Sequence, residues 1–191
     1  MVRTFDVASL RSRLLPECSI LQAGKPGAPE AAVAIIIDPS CEGGSILFIR
    51  RTEREGDPWS GQIAFPGGHK GPKDRGFRET AVREAEEEVG IDLREQELLG
   101  VLPPTYARTR QMLVAPFIFR LKSHVNVRLN EEAAESFWMP LSDLATIRVS
   151  KAEVYTQHGK LMVDSYIYRS HIIWGLTFRI INTLLGRETD F

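Results

Sequence analysis

The sequence feature that most constrains the fold is an acidic segment, Arg-Glu-Ala-Glu-Glu-Glu-Val-Gly-Ile, that begins at Arg83. At the angular spacing of an α-helix, Glu84, Glu87 and Glu88 share an arc of about 100°. The adjacent arc holds small and branched apolar residues, namely Ala81, Val82, Ala85 and Val89. The segment therefore predicts a helix over 78–89, ended by the glycine that follows it, with three carboxylates at the rim of a packed face.

Three carboxylates one helical turn apart repel one another, so a partner must offset their charge. Arg83 neutralises part of it, but a divalent cation does so better, and clustered oxygen ligands suit Mg²⁺ or Mn²⁺. Because Mg²⁺ also bridges to phosphate oxygens, the cluster indicates a phosphorylated substrate. The alternative is a solvated helix face that pairs with nearby arginines. The glycines that crowd 67–76 favour the metal site, because glycine lets the backbone approach a ligand closely.

The remaining sequence predicts an α/β fold in which helices pack on a mixed sheet. Strand-like composition recurs over 31–37, 46–49, 62–65, 98–102, 113–121 and 136–138, and in a hairpin over 155–169 that turns at His158 and Gly159. Helical periodicity predicts a leading helix over 6–15 and a closing helix over 172–185. Three regions are expected: an N-terminal helix and connector over 1–30, the main domain over 31–186, and a tail over 187–191.

Composition excludes several classes of partner. The 191 residues include 24 Lys and Arg against 25 Asp and Glu, a net charge of -1, so no general basic field attracts nucleic acid. Cys18 and Cys41 belong to no Cys-x-x-Cys pair and are predicted to be free thiols in a reducing cytosol. No apolar run reaches the roughly 20 residues that cross a bilayer, and residues 1–20 lack a signal-peptide pattern. We expect a cytoplasmic protein without a membrane partner.

The acidic segment resembles the signature of the Nudix hydrolase family, G-x5-E-x7-R-E-U-x-E-E-x-G-U, where U is bulky and aliphatic. The second half of the signature is matched by Arg83, Glu84, Glu87, Glu88, Gly90 and Ile91. In the first half, Gly68 lies one residue further from Arg83 than in the signature. Arg75 stands where the signature has Glu, and Asp74 is the nearest acidic residue. The likeness extends over about residues 31–186.

A loop one residue longer is similar to the coenzyme A diphosphatase branch of this family. That branch also carries Phe-Pro-Gly-Gly, which here is Phe65 to Gly68, and further likeness runs through Gly61-Gln62-Ile63-Ala64. The coenzyme A motif has Arg where this chain has Asp57, and Ser where it has Arg51.

The resemblance implies a Nudix-type α/β/α sandwich with a mixed β-sheet. It also implies Mg²⁺- or Mn²⁺-dependent cleavage of a diphosphate bond in a nucleoside diphosphate linked to a moiety X, by attack of an activated water on one phosphorus. The implied metal ligands are Glu84, Glu87, Glu88 and the backbone of Gly68, with Arg83 orienting one carboxylate.

The general base is left open by the resemblance, since the family draws it either from the helix or from a distant glutamate. The distant candidates are Glu131, Glu132 and Glu135, and a solvated acidic loop is the alternative reading. The candidates for substrate contact are Arg50, Arg51, Gly67, Gly68 and His69, and the alternative for the arginines is a solubilising strand edge. Tyr106, Trp138 and Trp174 either stack on a base or serve the core.

Several identities of X stay open. Coenzyme A or its derivatives lead, followed by ADP-ribose, dinucleotides and nucleoside triphosphates. From another class, the chain could be a Nudix-fold module that senses a nucleotide without cleaving it, but a pure binder need not keep three repelling carboxylates. A homodimer also stays open, with the leading helix and the aromatic C-terminal portion as its candidate surface.

Overall fold

The computed structural model describes residues 10–11, 13–20, 28–57, 59–109, 111–156 and 159–187. The strands are β1 (Ala31–Asp38), β2 (Ser45–Arg51), β3 (Ile63–Ala64), β4 (Gly67–His69), β5 (Glu97–Val101), β6 (Thr105–Ala107), β7 (Met112–Arg120), β8 (Ala133–Pro140), β9 (Val149–Thr156), β10 (Gly159–Tyr168) and β11 (His171–Trp174). The helices are α1 (Phe77–Val89), α2 (Leu141–Thr146), α3 (Gly175–Leu185) and a 3₁₀ turn at Glu17–Ile20.

The strands form two sheets. The larger has eight strands, with the path β3-β2-β1-β7-β5, while β4 pairs with β1, β6 with β7 and β8 with β2. β1 and β7 run parallel and the other pairs run antiparallel. The smaller sheet is antiparallel, in the order β11-β10-β9. The predicted mixed sheet is therefore confirmed.

The central strand β1 is buried on both faces, as its run of branched apolar residues predicts. On one face, Ala32, Ala34 and Ile36 pack in the core cluster that contains α1. On the other face, Ile35 and Ile37 pack in the cluster that contains α3 and parts of the smaller sheet. Because strand side chains alternate between faces, one strand serves both cores. The result is the expected α/β/α sandwich.

One edge of β1 has two different partners, and this positions the glycine-rich segment. Over its first residues, Ala31 to Val33, β1 pairs with β4, so that Gly68 lies opposite Ala32. At its end, Ile37 and Asp38 pair with β2 instead. The two partner strands diverge along this edge, and α1 follows β4 after the loop over 70–76. The backbone of β4 is thereby held beside α1.

The structure corrects the prediction for the closing helix. The helix begins at Gly175, whereas His171–Trp174 is strand β11, which pairs with β10. The branched residues Ile172 and Ile173 favour a strand, and Gly175, at a φ of 63°, breaks the continuity between strand and helix. The sequence also did not predict α2, and the glycines of β4, expected in a loop, pair as a strand.

Some predicted features lie outside the described residues. These are half of the leading helix over 6–15, the hairpin turn at His158, and all but the first residue of the tail. Cys18 and Cys41 are exposed and free, as predicted. Among the helices that the structure describes, none has the length and apolar character to cross a membrane.

Candidate active site

Helix α1 carries the acidic segment and fixes its orientation. Its predicted apolar face is buried against the sheet, with Ala81, Ala85 and Val89 fully enclosed. The helix ends at Gly90, which adopts the left-handed conformation at a φ of 69° and donates its N–H to carbonyls of the last turn. The exposed Glu86 points away from the other carboxylates and pairs with an arginine outside the helix.

Glu88 lies deeper than a rim position, with 2% of its side chain exposed. The N–H of Gly67 donates to its Oε2 at 2.9 Å, and the Nη1 of Arg51 lies 3.8 Å from its Oε1. Burial raises the pKa of Glu88 to about 7, and the negative charges of Glu84 and Glu132 also raise it. The surroundings therefore only partly compensate the carboxylate charge.

Glu84 lies one turn earlier and is also largely enclosed, with 14% of its side chain exposed. The Nη1 of Arg83 lies 2.8 Å from its Oε1. Burial raises the pKa of Glu84 above its usual value, and the charges of Glu87 and Glu132 act in the same direction. The more exposed Glu87 pairs with Arg83 at 3.0 Å. A single guanidinium thus serves two of the three carboxylates.

Arg83 is itself held by Asp74. The two oxygens of Asp74 accept hydrogen bonds from Nε and Nη2 of Arg83, at 3.1 and 3.0 Å. The N–H of Gly71 and the hydroxyl of Thr80 donate to Asp74 as well. These bonds, above all those from Arg83, lower the pKa of Asp74 to about 2. The exposed Arg75 takes no part, so Asp74 provides the acidic partner at this point of the loop.

The glycines of β4 are required by close packing. A Cβ at Gly67 would lie 2.4 Å from the carbonyl oxygen of Ala32 and 2.6 Å from the Cα of Val33. A Cβ at Gly68 would lie 2.5 Å from the Oε1 of Glu84. The Gly68 backbone therefore lies directly against the Glu84 carboxylate, the close approach that glycines in this segment were expected to allow.

Arg51 extends the cluster from strand β2. Besides its contact with Glu88, its Nη2 pairs with the Oδ2 of Asp57 at 3.2 Å. Its Nε is buried and has no hydrogen-bond partner among the described residues. Arg51 also lines a slot of about 80 Å³, together with Gly67, Gly68 and the side chain of Trp59. A narrow opening with a cationic wall thus adjoins the acidic cluster.

Arg50 and Glu135 are not brought into this cluster. They lie opposite each other on β2 and β8, and the Nε of Arg50 donates to Glu135 at 3.1 Å. The Nε2 of His171 lies 3.0 Å from the other oxygen of Glu135, and its ring stacks on Phe137, which belongs to the α3 core. Hydrogen bonds from Arg50 and then His171 lower the pKa of Glu135. This carboxylate is engaged in an ion-pair network.

Glu132 and Glu131 differ in their relation to the cluster. The negative charge of Glu132 raises the pKa of both Glu84 and Glu88, so this side chain acts on the cluster electrostatically. Glu131 is exposed and contributes its backbone carbonyl to an arginine of the β2–β3 loop. His69 is also exposed, and its carbonyl accepts a hydrogen bond from the α1 arginine.

The oxygen donors of this cluster suit a metal ion only in part. Among the residues that the structure describes, no group of three or more His, Cys, Asp or Glu side chains lies together as a ready metal site. Arg83 holds Glu84 and Glu87, while the Gly67 N–H holds Glu88, so the carboxylates face these partners. The chemistry of the set still fits a hard divalent cation, because Glu84 and Glu88 are both enclosed, burial and neighbouring carboxylates raise the pKa of each, and nearby cations only partly compensate their charge.

The aromatic candidates fall in different places. Trp174 lines a cleft beside the slot. Trp138 packs against the α1 core, and Tyr106 is exposed. The sequence pattern did not indicate Trp59 as a lining residue or Thr80 as a support for Asp74. For Thr80, the signal that the sequence offered was its helical position three residues before Arg83.

Comparison with known proteins places the sequence in a known family. The family described as the NUDIX domain matches residues 28–159. The chain is 32% identical to an uncharacterized Nudix hydrolase, NudL, of Pectobacterium atrosepticum, over 87% of this chain and 87% of that protein. It is 35% identical to the NudL of Photorhabdus laumondii, over 79% of this chain and 81% of that protein.

Two solved structures share the fold at low identity. A C. elegans Ap4A hydrolase in a binary complex superposes with a TM-score of 0.52 and 19% identity, covering 60% of this chain and 82% of that one. A MutT/nudix family protein from Enterococcus faecalis superposes with a TM-score of 0.53 and 14% identity, covering 96% of this chain and 70% of that one.

Proposed function

The chain belongs to the Nudix hydrolase family, and from that premise we propose that it uses Mg²⁺ or Mn²⁺ to cleave a diphosphate bond in a nucleoside diphosphate-X substrate. The observation that carries the proposal is the enclosure of Glu84 and Glu88 against the backbone of Gly67 and Gly68. A helix that buries two adjacent carboxylates loses stability unless a ligand compensates them. A divalent cation that also binds phosphate is that ligand.

Different residues of the chain have different proposed roles. Glu84, Glu87 and Glu88, with the Gly68 carbonyl, would hold the cation, which supplies a water of lowered pKa and screens the diphosphate charge. Glu87 would exchange its pairing with Arg83 for the cation, and the hydrogen bonds of Asp74 would keep Arg83 in place beside Glu84. Positioning of the diphosphate against the water remains the task of the protein.

We assign the role of general base to Glu132. Its charge acts on Glu84 and Glu88, and no described ion pair engages its carboxylate. Glu135 is held by Arg50 and His171, which stabilise its ionised form and make it a poor proton acceptor. Glu131 points to solvent. Position and freedom from ion pairs therefore favour Glu132 among the three.

For X we favour coenzyme A or one of its derivatives. The coenzyme A motif has arginine where this chain has Asp57, and serine where this chain has Arg51. In this chain the positive charge therefore stands at position 51 instead of position 57. The two residues pair at 3.2 Å, which leaves one guanidinium beside Glu88 and the slot. We infer that Arg51 supplies the phosphate contact from strand β2, since guanidinium groups bind phosphate oxygens strongly. His69 lies at the same slot as a further contact.

The test is product formation from coenzyme A, ADP-ribose, NADH, diadenosine polyphosphates and nucleoside triphosphates with Mg²⁺ or Mn²⁺. Wild type is measured beside Glu87→Gln and beside Glu86→Gln, a matched control on the same helix whose side chain points away from the cluster. We expect cleavage of coenzyme A, a loss of at least a hundredfold in kcat for Glu87→Gln, and a change of less than twofold for Glu86→Gln.

Three outcomes are distinguished by this panel. Metal-dependent turnover of another member, lost in Glu87→Gln, would keep the hydrolase and replace coenzyme A as X. Equal activity in both variants would contradict the site. Tight binding of a nucleotide with no turnover of any compound would contradict catalysis and favour the nucleotide-sensing module.

A further inference from the structure

A second cleft continues from the slot beside the acidic cluster. It has a volume of about 420 Å³ and lies between α3, strand β10 and the loop that follows β6. Trp59, Gln62 and Leu176 line both the slot and this cleft. Because the two openings share these walls, a molecule whose diphosphate lies beside the acidic cluster can extend from the slot into the cleft.

Two arginines line this cleft. Arg179 projects from α3, and its Nη2 donates to the carbonyl of Tyr106 at 2.7 Å. Arg108 lies just beyond that carbonyl, at the end of β6. Burial and the charge of Arg108 hold the pKa of the Arg179 guanidinium below its usual value. The half-buried Arg179 and the exposed Arg108 thus place two cations near each other at this cleft.

No carboxylate offsets this charge in the described part of the chain. Neither Arg108 nor Arg179 forms an ion pair among the described residues. Asp164 also lines the cleft, but its oxygen pairs with the ammonium of Lys151 at 2.8 Å. Four of the five guanidinium N–H groups of Arg179 have no partner among the described residues, which leaves them able to bind an anion.

Apart from Gln62, Thr109 and Asp164, the rest of the cleft wall is largely apolar. Leu161 and Met162 on β10 are half exposed or more, although both are apolar, and both residues line the cleft together with Trp174. Such a wall suits the flat face of a nucleobase, while the arginine pair suits a group with two or more acceptor oxygens. The cleft therefore combines a surface for a base with a surface for an anion.

We propose that Arg108 and Arg179 bind a phosphomonoester on the ribose of the substrate, separate from the diphosphate that is cleaved. The inference rests on the proposed function for the position of the diphosphate, and it narrows the substrate class to nucleoside diphosphates with an additional ribose phosphate. A guanidinium pair distinguishes such a phosphate from a free hydroxyl by charge and by bidentate hydrogen bonds.

The experiment compares substrates that differ only in this phosphate. Coenzyme A is measured against 3′-dephospho-coenzyme A, and NADPH against NADH, which separates a 3′ from a 2′ phosphate. We expect wild type to prefer one phosphorylated member by at least tenfold in kcat/KM. Arg108→Gln and Arg179→Gln should each reduce that preference at least fivefold while changing kcat/KM for the unphosphorylated member by less than twofold. The control is Arg120→Gln, because Arg120 is an exposed arginine at the end of β7 and lines neither the slot nor the cleft.

A binding measurement keeps the inference independent of turnover. Calorimetry with adenosine 3′,5′-bisphosphate, adenosine 2′,5′-bisphosphate and adenosine 5′-monophosphate should show tighter binding of one bisphosphate to wild type, lost in Arg108→Gln. If catalysis fails but this difference is found, the proposed function fails and the subsite stands. If wild type makes no distinction in either measurement, or the variants keep it, the phosphate subsite is contradicted.

Discussion

Arg83 connects the loop, the helix and the reacting centre at the scale of single residues. Its guanidinium binds Asp74 through two hydrogen bonds and reaches Glu84 and Glu87 with the remaining nitrogen. Asp74 is enclosed and carries four hydrogen bonds, so its ionised form is strongly favoured in the folded chain. The loop that precedes α1 is therefore fixed to the helix by one carboxylate.

This predicts a pH-dependent stability effect for Asp74→Asn. The folded pKa of about 2 lies below the usual value of 3.8 for an aspartate, so the carboxylate stabilises the fold above pH 3.8 and loses that effect as pH falls through 2. We expect Asp74→Asn to lower the free energy of unfolding by about 2 kcal/mol at pH 7, and by about half of that at pH 3. Urea unfolding measures both. The exposed Asp92→Asn should change little, and a loss independent of pH would contradict the argument.

Glu132 gives a second prediction at this scale. As the proposed base, it should contribute a factor of about 10² to 10⁴ to kcat, so Glu132→Gln should lower kcat by at least a hundredfold with KM little changed. Glu131→Gln, the adjacent exposed residue, is the control and should leave kcat within twofold. Steady-state kinetics on the substrate identified by the panel provide the measurement. A kcat for Glu132→Gln within fivefold of wild type would return the role to the helix carboxylates.

At the scale of elements, the contact between β4 and α1 forms the site. The two glycines of β4 face different neighbours, since Gly67 lies against the backbone of β1 whereas Gly68 lies against the side chain of Glu84. A backbone neighbour cannot move without breaking the sheet, but a carboxylate can change rotamer. The same substitution should therefore have different effects at the two positions.

We expect Gly67→Ala to lower the free energy of unfolding by about 1–3 kcal/mol, because the new methyl group overpacks the sheet. Gly68→Ala should cost less stability but lower kcat/KM at least tenfold, because it displaces Glu84. Gly76→Ala is the control, since no atom lies within 4 Å of a Cβ there. Thermal unfolding and kinetics on the three variants test this. Equal effects at Gly67 and Gly68 on both measurements would contradict the assigned contacts.

Helix α1 was predictable from the sequence, because its periodicity places apolar residues and carboxylates on separate arcs and its end is marked by Gly90. The start of α3 was not. Residues 172–174 are apolar like the helix that follows, and only their pairing with β10 makes them a strand. The strand β4 was equally hidden, since glycine has low strand propensity and its pairing with β1 is a tertiary contact.

The candidate site shows the same division. The carboxylates of α1 follow from local spacing, and Gly67 and Gly68 follow from the glycine loop. The pairing of Arg51 with Asp57, and the separation of Arg50 from the cluster, depend on which face of β2 each side chain occupies and on a register shift between the two arginines. The arginines of the cleft come from elements about 70 residues apart, a proximity that no local pattern encodes.

At the scale of the whole molecule, α3 joins the two sheets. Thr177 donates from α3 to the carbonyl of Ile63 in the larger sheet, while Asn182 accepts a hydrogen bond from the hydroxyl of Tyr166 in the smaller sheet. Tyr166 is fully buried, and its hydroxyl also accepts a hydrogen bond from Arg187. The walls of the slot and of the second cleft depend on this junction, because both include residues of α3.

Tyr166→Phe should therefore destabilise the fold. The change removes one hydroxyl and leaves the buried Asn182 oxygen without its partner, at a cost of about 1–3 kcal/mol in the free energy of unfolding. Tyr155→Phe, on the exposed face of β9, removes a hydroxyl from a side chain that is 75% exposed and should be nearly neutral. Chemical denaturation of the two variants measures the difference. Equal stability would show that the Tyr166 hydrogen bonds do not hold the sheets together.

The most direct test of the central claim is a calorimetric titration of Mn²⁺ into the nucleotide-free protein. Wild type should bind the ion, and Glu88→Gln should bind it at least tenfold more weakly, a loss of about 1.4 kcal/mol or more, because one enclosed carboxylate is removed. Glu86→Gln, on the same helix but directed away, should match wild type within twofold. Equal Mn²⁺ affinity in wild type and Glu88→Gln would contradict the assignment of this carboxylate cluster as the metal site.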